Sequence, residues 1–122
     1  MRLPTLLALT MLIISAGCQS PPPSTAEMLK SSSGVERMRA VGRLAGENRW
    51  SNVPTFIRFL EDEDVSVRWA AIEALSAQVR ADFGFRPADP IEMRAPAVDR
   101  WKQWWQTEGR RGPQARPPSA VS

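Results

Sequence analysis

One thiol, one run of carboxylates, a group of arginines and a group of tryptophans are the side chains whose types and spacing bear on chemistry. Cys18 is the single cysteine, so it has no internal disulfide partner, and its thiol is free for modification. Glu61-Asp62-Glu63-Asp64 sets four carboxylates in succession. Hard oxygens hold calcium when spacer residues and a glycine alternate with them. Neither is present here, which leaves a solvated turn between helices, with Asp64 as cap of the helix that follows. Arg37, Arg39 and Arg43 share one stretch, with Arg68 as a further neighbour. They read either as an anion patch or as partners of the nearby acids. Trp101, Trp104 and Trp105 read either as a stacking platform for sugars or bases, or as packed core with Trp104 or Trp105 partly exposed.

Histidine is absent, which removes the commonest general base and the commonest metal ligand. No serine-nucleophile motif, phosphate loop or CxxC pair occurs, and no carboxylate pair is assignable to hydrolysis. No catalytic residue, metal or cofactor is therefore assigned, and the expectation is a protein that is not an enzyme. The 122 residues suit one domain, with 43% hydrophobic and 24% charged residues, as in ordinary globular chains. The net charge is +3, and Lys30 and Lys102 are the only lysines. The excess favours anionic partners in general, or reflects a bias toward arginine with no target; the arginines are scattered along the chain.

The element that positions Cys18 is the N-terminal segment. Arg2 is followed by an apolar stretch, Leu3 to Ile14, and then by small residues Ser15, Ala16 and Gly17. That order is a secretory signal, with an apolar run too short to span a bilayer. Ser15-Ala16-Gly17-Cys18 resembles the lipobox of bacterial lipoproteins. The resemblance implies cleavage before Cys18 and acylation of its thiol, with residues 1–17 removed as signal. Several acyl chains hold a protein firmly on a membrane. Gln19 stands where an Asp would favour the inner membrane, so the expected address is the bacterial cell envelope, more on the outer membrane than the inner. Residues 18–23 then form a proline-rich spacer; stiffened to about 3 Å per residue, it reaches roughly 20 Å.

Helices must position the remaining candidates. Ser24-Thr25-Ala26-Glu27 fits a capping box that opens a short helix to about Lys30, and Ser33-Gly34-Val35-Glu36 fits a second. Val35, Met38, Val41, Leu44 and Ala45 keep helical spacing until Gly46 and Asn48. Ser51 or Asn52 caps a third helix, with Pro54 in its first turn and a stripe of Val53, Phe56, Ile57 and Leu60. Asp64 caps a fourth, whose Val67, Ala71, Ile72, Leu75 and Val79 face inward. Residues 80–86 form a loop. A last helix starts at Asp89-Pro90, or near Ala95 if Pro96 breaks it, and carries the tryptophans until Gly109. Residues 109–122 are expected to be a disordered basic tail. No segment alternates with period two, so the expected fold class is all-α.

Shifted by 31 residues, the chain matches itself. Ser33 meets Asp64, Arg37 meets Arg68, Ala40 meets Ala71, Val41 meets Ile72 and Leu44 meets Leu75. A period of this length marks a helical solenoid, in which helix pairs bury their apolar faces on one another. Asp64, Val67, Arg68, Ala71, Ile72 and Leu75 resemble HEAT-like repeats, over about residues 33–80. The resemblance implies that Asp64 and Arg68 stabilise turns between units, while Ala71, Ile72 and Leu75 pack the helices. Phe83-Gly84-Phe85, Pro87 and the tryptophans resemble a module that follows such repeats in some bacterial proteins. The expected architecture is thus a short α-solenoid over residues 24–108, closed by a tryptophan-rich capping helix. A scaffold binding an envelope protein is the expected function, with Arg37, Arg39, Arg43, Trp104 and Trp105 as candidates for the interaction surface. The alternative is a structural component that binds peptidoglycan or anionic lipid through arginines. An exported lipoprotein meets no nucleic acid, so none is expected as partner.

Overall fold

Ser24 opens the first helix as its sequence demands: its hydroxyl accepts from the Glu27 amide, and the Glu27 carboxylate accepts from the Ser24 amide. The computed structural model describes residues 17–118, and the expected signal segment therefore lies almost wholly outside the described residues. Five α-helices follow one another: α1 (Thr25–Leu29), α2 (Gly34–Glu47), α3 (Val53–Phe59), α4 (Val65–Val79) and α5 (Ile91–Thr107). Short 3₁₀ turns lie at Trp50–Asn52, Gly109–Arg111 and Pro113–Ala115. The described residues include no strand, and the chain is an all-α, short solenoid-like stack.

The two units of the 31-residue repeat are the hairpins α1–α2 and α3–α4. Within each the helices pack on one another, and α2 and α4 pack side by side between units. Their starts are equivalent. The Ser33 hydroxyl accepts from the Glu36 amide and the Asp64 carboxylate from the Ser66 amide. Their ends are equivalent too: each closes on a left-handed residue, Asn48 (φ 51°) and Arg80 (φ 61°). Gly34 lets the two starts meet, because a Cβ there would overlap the Asp64 carboxylate.

The core runs through both units into α5. Val41, Phe56, Leu60, Val67, Leu75, Phe85 and Trp101 are fully buried. Ala71 and Ile72 are buried with them, as the repeat requires. α5 seals the stack from the α3 side. Trp101 stands edge-on to Phe83 at 4.6 Å and to Trp104 at 5.7 Å, separations at which aromatic pairs attract beyond their burial.

Three expectations change. The last helix begins at Ile91 and runs through Pro96 unbroken, with Pro90 as its N-cap and not its first helical residue. Pro96 deprives the Glu92 carbonyl of its usual donor, and both residues lie on the exposed side of the helix, where such a loss costs least. Val35 belongs to the helical stripe by spacing yet is 52% exposed, because it lies in the first turn, at the rim of the stack. The expected tail is ordered over residues 109–116. Gly109 and Ala115 carbonyls accept from Trp50 Nε1 at 2.8 Å and Trp104 Nε1 at 3.2 Å, and Arg116 Nε donates to the Gln78 carbonyl at 2.7 Å. Gly109 is buried beneath the indoles, where a Cβ would come within 2.6 Å of Trp105.

Candidate interaction surface

Arg37 is no surface residue. It occupies the fourth helical position of α2 and is 9% exposed. Its Nε and Nη2 grip the two carboxylate oxygens of Asp62 at 2.8 and 2.9 Å, and Nη1 donates to the Ser31 carbonyl. Arg68 repeats the device one unit on. It is 8% exposed, its Nη1 donates to the carbonyls of Asp62 and Glu63, and its Nε reaches the Pro87 carbonyl at 3.0 Å. Ser31 and Asp62 are themselves 31 residues apart, so each arginine ties the turn before its own helix to the unit that follows. The planar fork of arginine suits such multiple capture; a lysine ammonium does not.

The charges in this clasp respond to their setting. Burial alone would raise the Asp62 carboxyl, but the Arg37 bond, the Asp64 amide and the nearby guanidinium charges outweigh it and hold it below the ordinary aspartate value. The Asp62 bond raises Arg37. Burial, followed by the nearby Arg94 charge, lowers Arg68. Asp64 caps α4 through Ser66 and takes no bond from Arg37; within the acidic turn the acid that clasps and the acid that caps are different residues.

The other expected site residues separate. Arg39 and Arg43 are exposed on α2, and no carboxylate among the described residues lies within ion-pair distance of them. Trp104 is buried, at 8% exposure, and Trp105 is half-buried along a groove with Ile57, Arg58, Lys102 and Arg110. Cys18 is exposed at the start of the spacer. These residues do not converge on one surface.

A second set of side chains stands out by its exposure. Val35, Val65, Trp69, Ile91 and Met93 are the large apolar side chains exposed by 41 to 64%. All five lie in the first two turns of α2, α4 and α5. The starts of α2 and α4 meet where Asp64 abuts Gly34, and the loop leading into α5 is tied to the start of α4 where Arg68 holds the Pro87 carbonyl. The fold therefore carries one apolar end. Beside Trp69 a groove of about 430 Å³ runs between α4 and the 82–87 loop, floored by Ile72, Phe85 and Pro87 and edged by Glu73, Asp82 and Arg86. The loop is pinned. The Asp82 carboxylate accepts from the Gly84 amide, which holds it below its ordinary value, and the Asp82 carbonyl accepts from Trp101 Nε1. A signal for this end was in the sequence: placing Val67, Ala71, Ile72 and Leu75 inward leaves Val65 and Trp69 facing out.

Compared with protein families, residues 22–84 match the model described as HEAT repeats. No curated protein and no solved structure matches the chain. No helix of the described residues is long and apolar enough to cross a membrane.

Proposed function

Because this chain belongs to the HEAT-repeat family, whose members commonly serve as protein-interaction modules, we propose that it is a non-catalytic binding module, held at the bacterial cell envelope by a lipid on Cys18, whose partner protein docks on the apolar end. The observation that carries the docking surface is the exposure of Val35, Val65 and Trp69 at the meeting starts of α2 and α4, with Ile91 and Met93 at the start of α5 beyond the loop that Arg68 holds. Solvent-exposed apolar side chains scattered singly need no explanation, but a concentration of them on one end marks a protein-binding surface. Trp69 supplies the large aromatic anchor typical of such surfaces, beside a groove able to take a side chain in return.

Anchorage rests on the Ser15-Ala16-Gly17-Cys18 segment and on the exposure of Cys18 ahead of the first cap. Two measurements test the reading. Mass spectrometry of the mature N-terminus finds an acylated Cys18; an unmodified thiol or a cleavage elsewhere rejects the anchor. Trp69→Glu combined with Val65→Glu removes a complex seen with the wild-type protein in detergent extracts of envelopes. Retention of that complex by the variant rejects the docking surface.

A further inference from the structure

The ends of the same helices carry the opposite character. Arg49 follows α2, Arg80 ends α4, and Arg110, Arg111 and Arg116 follow α5. Widely separated in sequence, they are drawn together by three contacts. Gln78 Nε2 donates to the Arg49 carbonyl, Trp50 Nε1 donates to the Gly109 carbonyl, and Arg116 Nε donates to the Gln78 carbonyl. Arg116 also lies over the Trp50 ring at 5.4 Å. All five arginines are exposed. Asp82, two residues after Arg80, is paired with Arg86, and the other acids at this end are Glu47, which accepts from Asn52, and Glu108. Among the described residues none of these forms an ion pair with any of the five. Arg80 keeps a left-handed φ of 61°, a position where glycine is the favoured residue. Here a backbone preference gives way to a positive side chain.

We propose that this basic end docks on anionic phospholipid headgroups and so sets how the domain stands on its membrane. The occupant follows from charge and from reach. The guanidinium groups of Arg49, Arg80, Arg110 and Arg111, which have no ion-pair partner among the described residues, join that of Arg116, engaged through Nε, and the charge gathered from three segments suits phosphate, which arginine binds through its fork. The spacer after Cys18 extends roughly 20 Å, which keeps the anchored domain close enough to the bilayer for this face to reach the headgroups. The apolar end then points away from the lipid, free for its partner. This orientation rests on the lipid-anchored reading; the affinity of the basic end for anionic lipid does not.

Each arginine brought to an anionic leaflet raises partitioning about fivefold. The test uses the mature chain, residues 18–122, with Cys18→Ser, so that neither acyl chain nor signal contributes, and vesicles of phosphatidylcholine with or without phosphatidylglycerol. Cosedimentation is expected with the anionic vesicles, to fall steeply with added salt, and to fall about 25-fold in Arg110→Gln/Arg111→Gln. Removing the same charge elsewhere, in Arg39→Gln/Arg94→Gln, changes binding by less than about threefold. Arg80→Gly weakens binding while raising thermal stability, a combination that damage to the fold does not produce. Equal losses from both arginine pairs, or no preference for anionic vesicles, overturns the proposal. Binding of polyglutamate without binding of anionic vesicles also overturns it and assigns the end to an acidic protein. Because Cys18 is substituted throughout, failure here is separate from failure to find an acylated Cys18.

Discussion

Arg37 and Arg68 carry the repeat at the scale of single residues. The 31-residue match brings them into register, and the structure gives them the same two duties: holding the preceding turn and reaching the next unit. Their equivalence was legible in spacing. Their partners were not, since four consecutive acids offer no pattern that separates Asp62, which clasps, from Asp64, which caps. Removing one member of a buried pair strands the other, so Arg37→Ala is expected to cost about 3 kcal/mol in urea unfolding. Glu63→Ala, at a side chain 88% exposed, stays within about 0.5 kcal/mol. Asp62 and Asp82 both titrate below their ordinary value of 3.8 in the folded state. As pH falls, the unfolded chain takes up protons on these groups first. Their contribution to stability is therefore full well above pH 3.8 and is lost as pH drops through that value toward the lower folded one. Asn at either position flattens the acid limb of a stability–pH curve; an unchanged limb contradicts the assigned ionisation.

Helix boundaries were legible where side chains cap them. Ser24, Ser33 and Asp64 each accept the expected amide. The sequence is less informative where backbone carbonyls do the joining. Residues 109–116 show no apolar period, so they read as a tail, yet they are fixed by carbonyls that accept from Trp50 and Trp104 and by one that receives Arg116. Hydrophobic patterning registers none of these bonds. Pro96 was ambiguous for a related reason, since its effect depends on whether water reaches the orphaned carbonyl. With both residues exposed, the helix tolerates the proline at a cost. Pro96→Ala restores a donor to Glu92 and is expected to stabilise the domain by about 1–2 kcal/mol, the helix gain being partly offset by the freer unfolded chain. A fall in melting temperature contradicts an unkinked helix at this point. Gly34→Ala acts in the opposite sense, because its methyl group meets the Asp64 cap, and a loss of about 1–3 kcal/mol is expected.

For the whole molecule, polarity along the helices organises function. α2 and α4 run side by side, and α5 is tied to them at both limits, by the Arg68 bond to Pro87 before its start and by the Trp50 and Arg116 bonds after its finish. The starts expose apolar side chains, and the finishes gather arginines. Arginines that look scattered along the chain are drawn toward one another by the bonds of Gln78, Trp50 and Arg116, none of which composition registers. Val35, Val65, Ile91 and Met93 are likewise each unremarkable within their own helices. The proposed arrangement has a protein partner at the apolar end and lipid at the basic end. Its central claim is tested most directly by photo-crosslinking in intact cells, with the reactive residue at position 69 in one variant and at position 114 in another. A discrete protein adduct from position 69 and none from position 114 is the predicted result. A protein adduct from position 114 alone, or equal adducts from both, contradicts it.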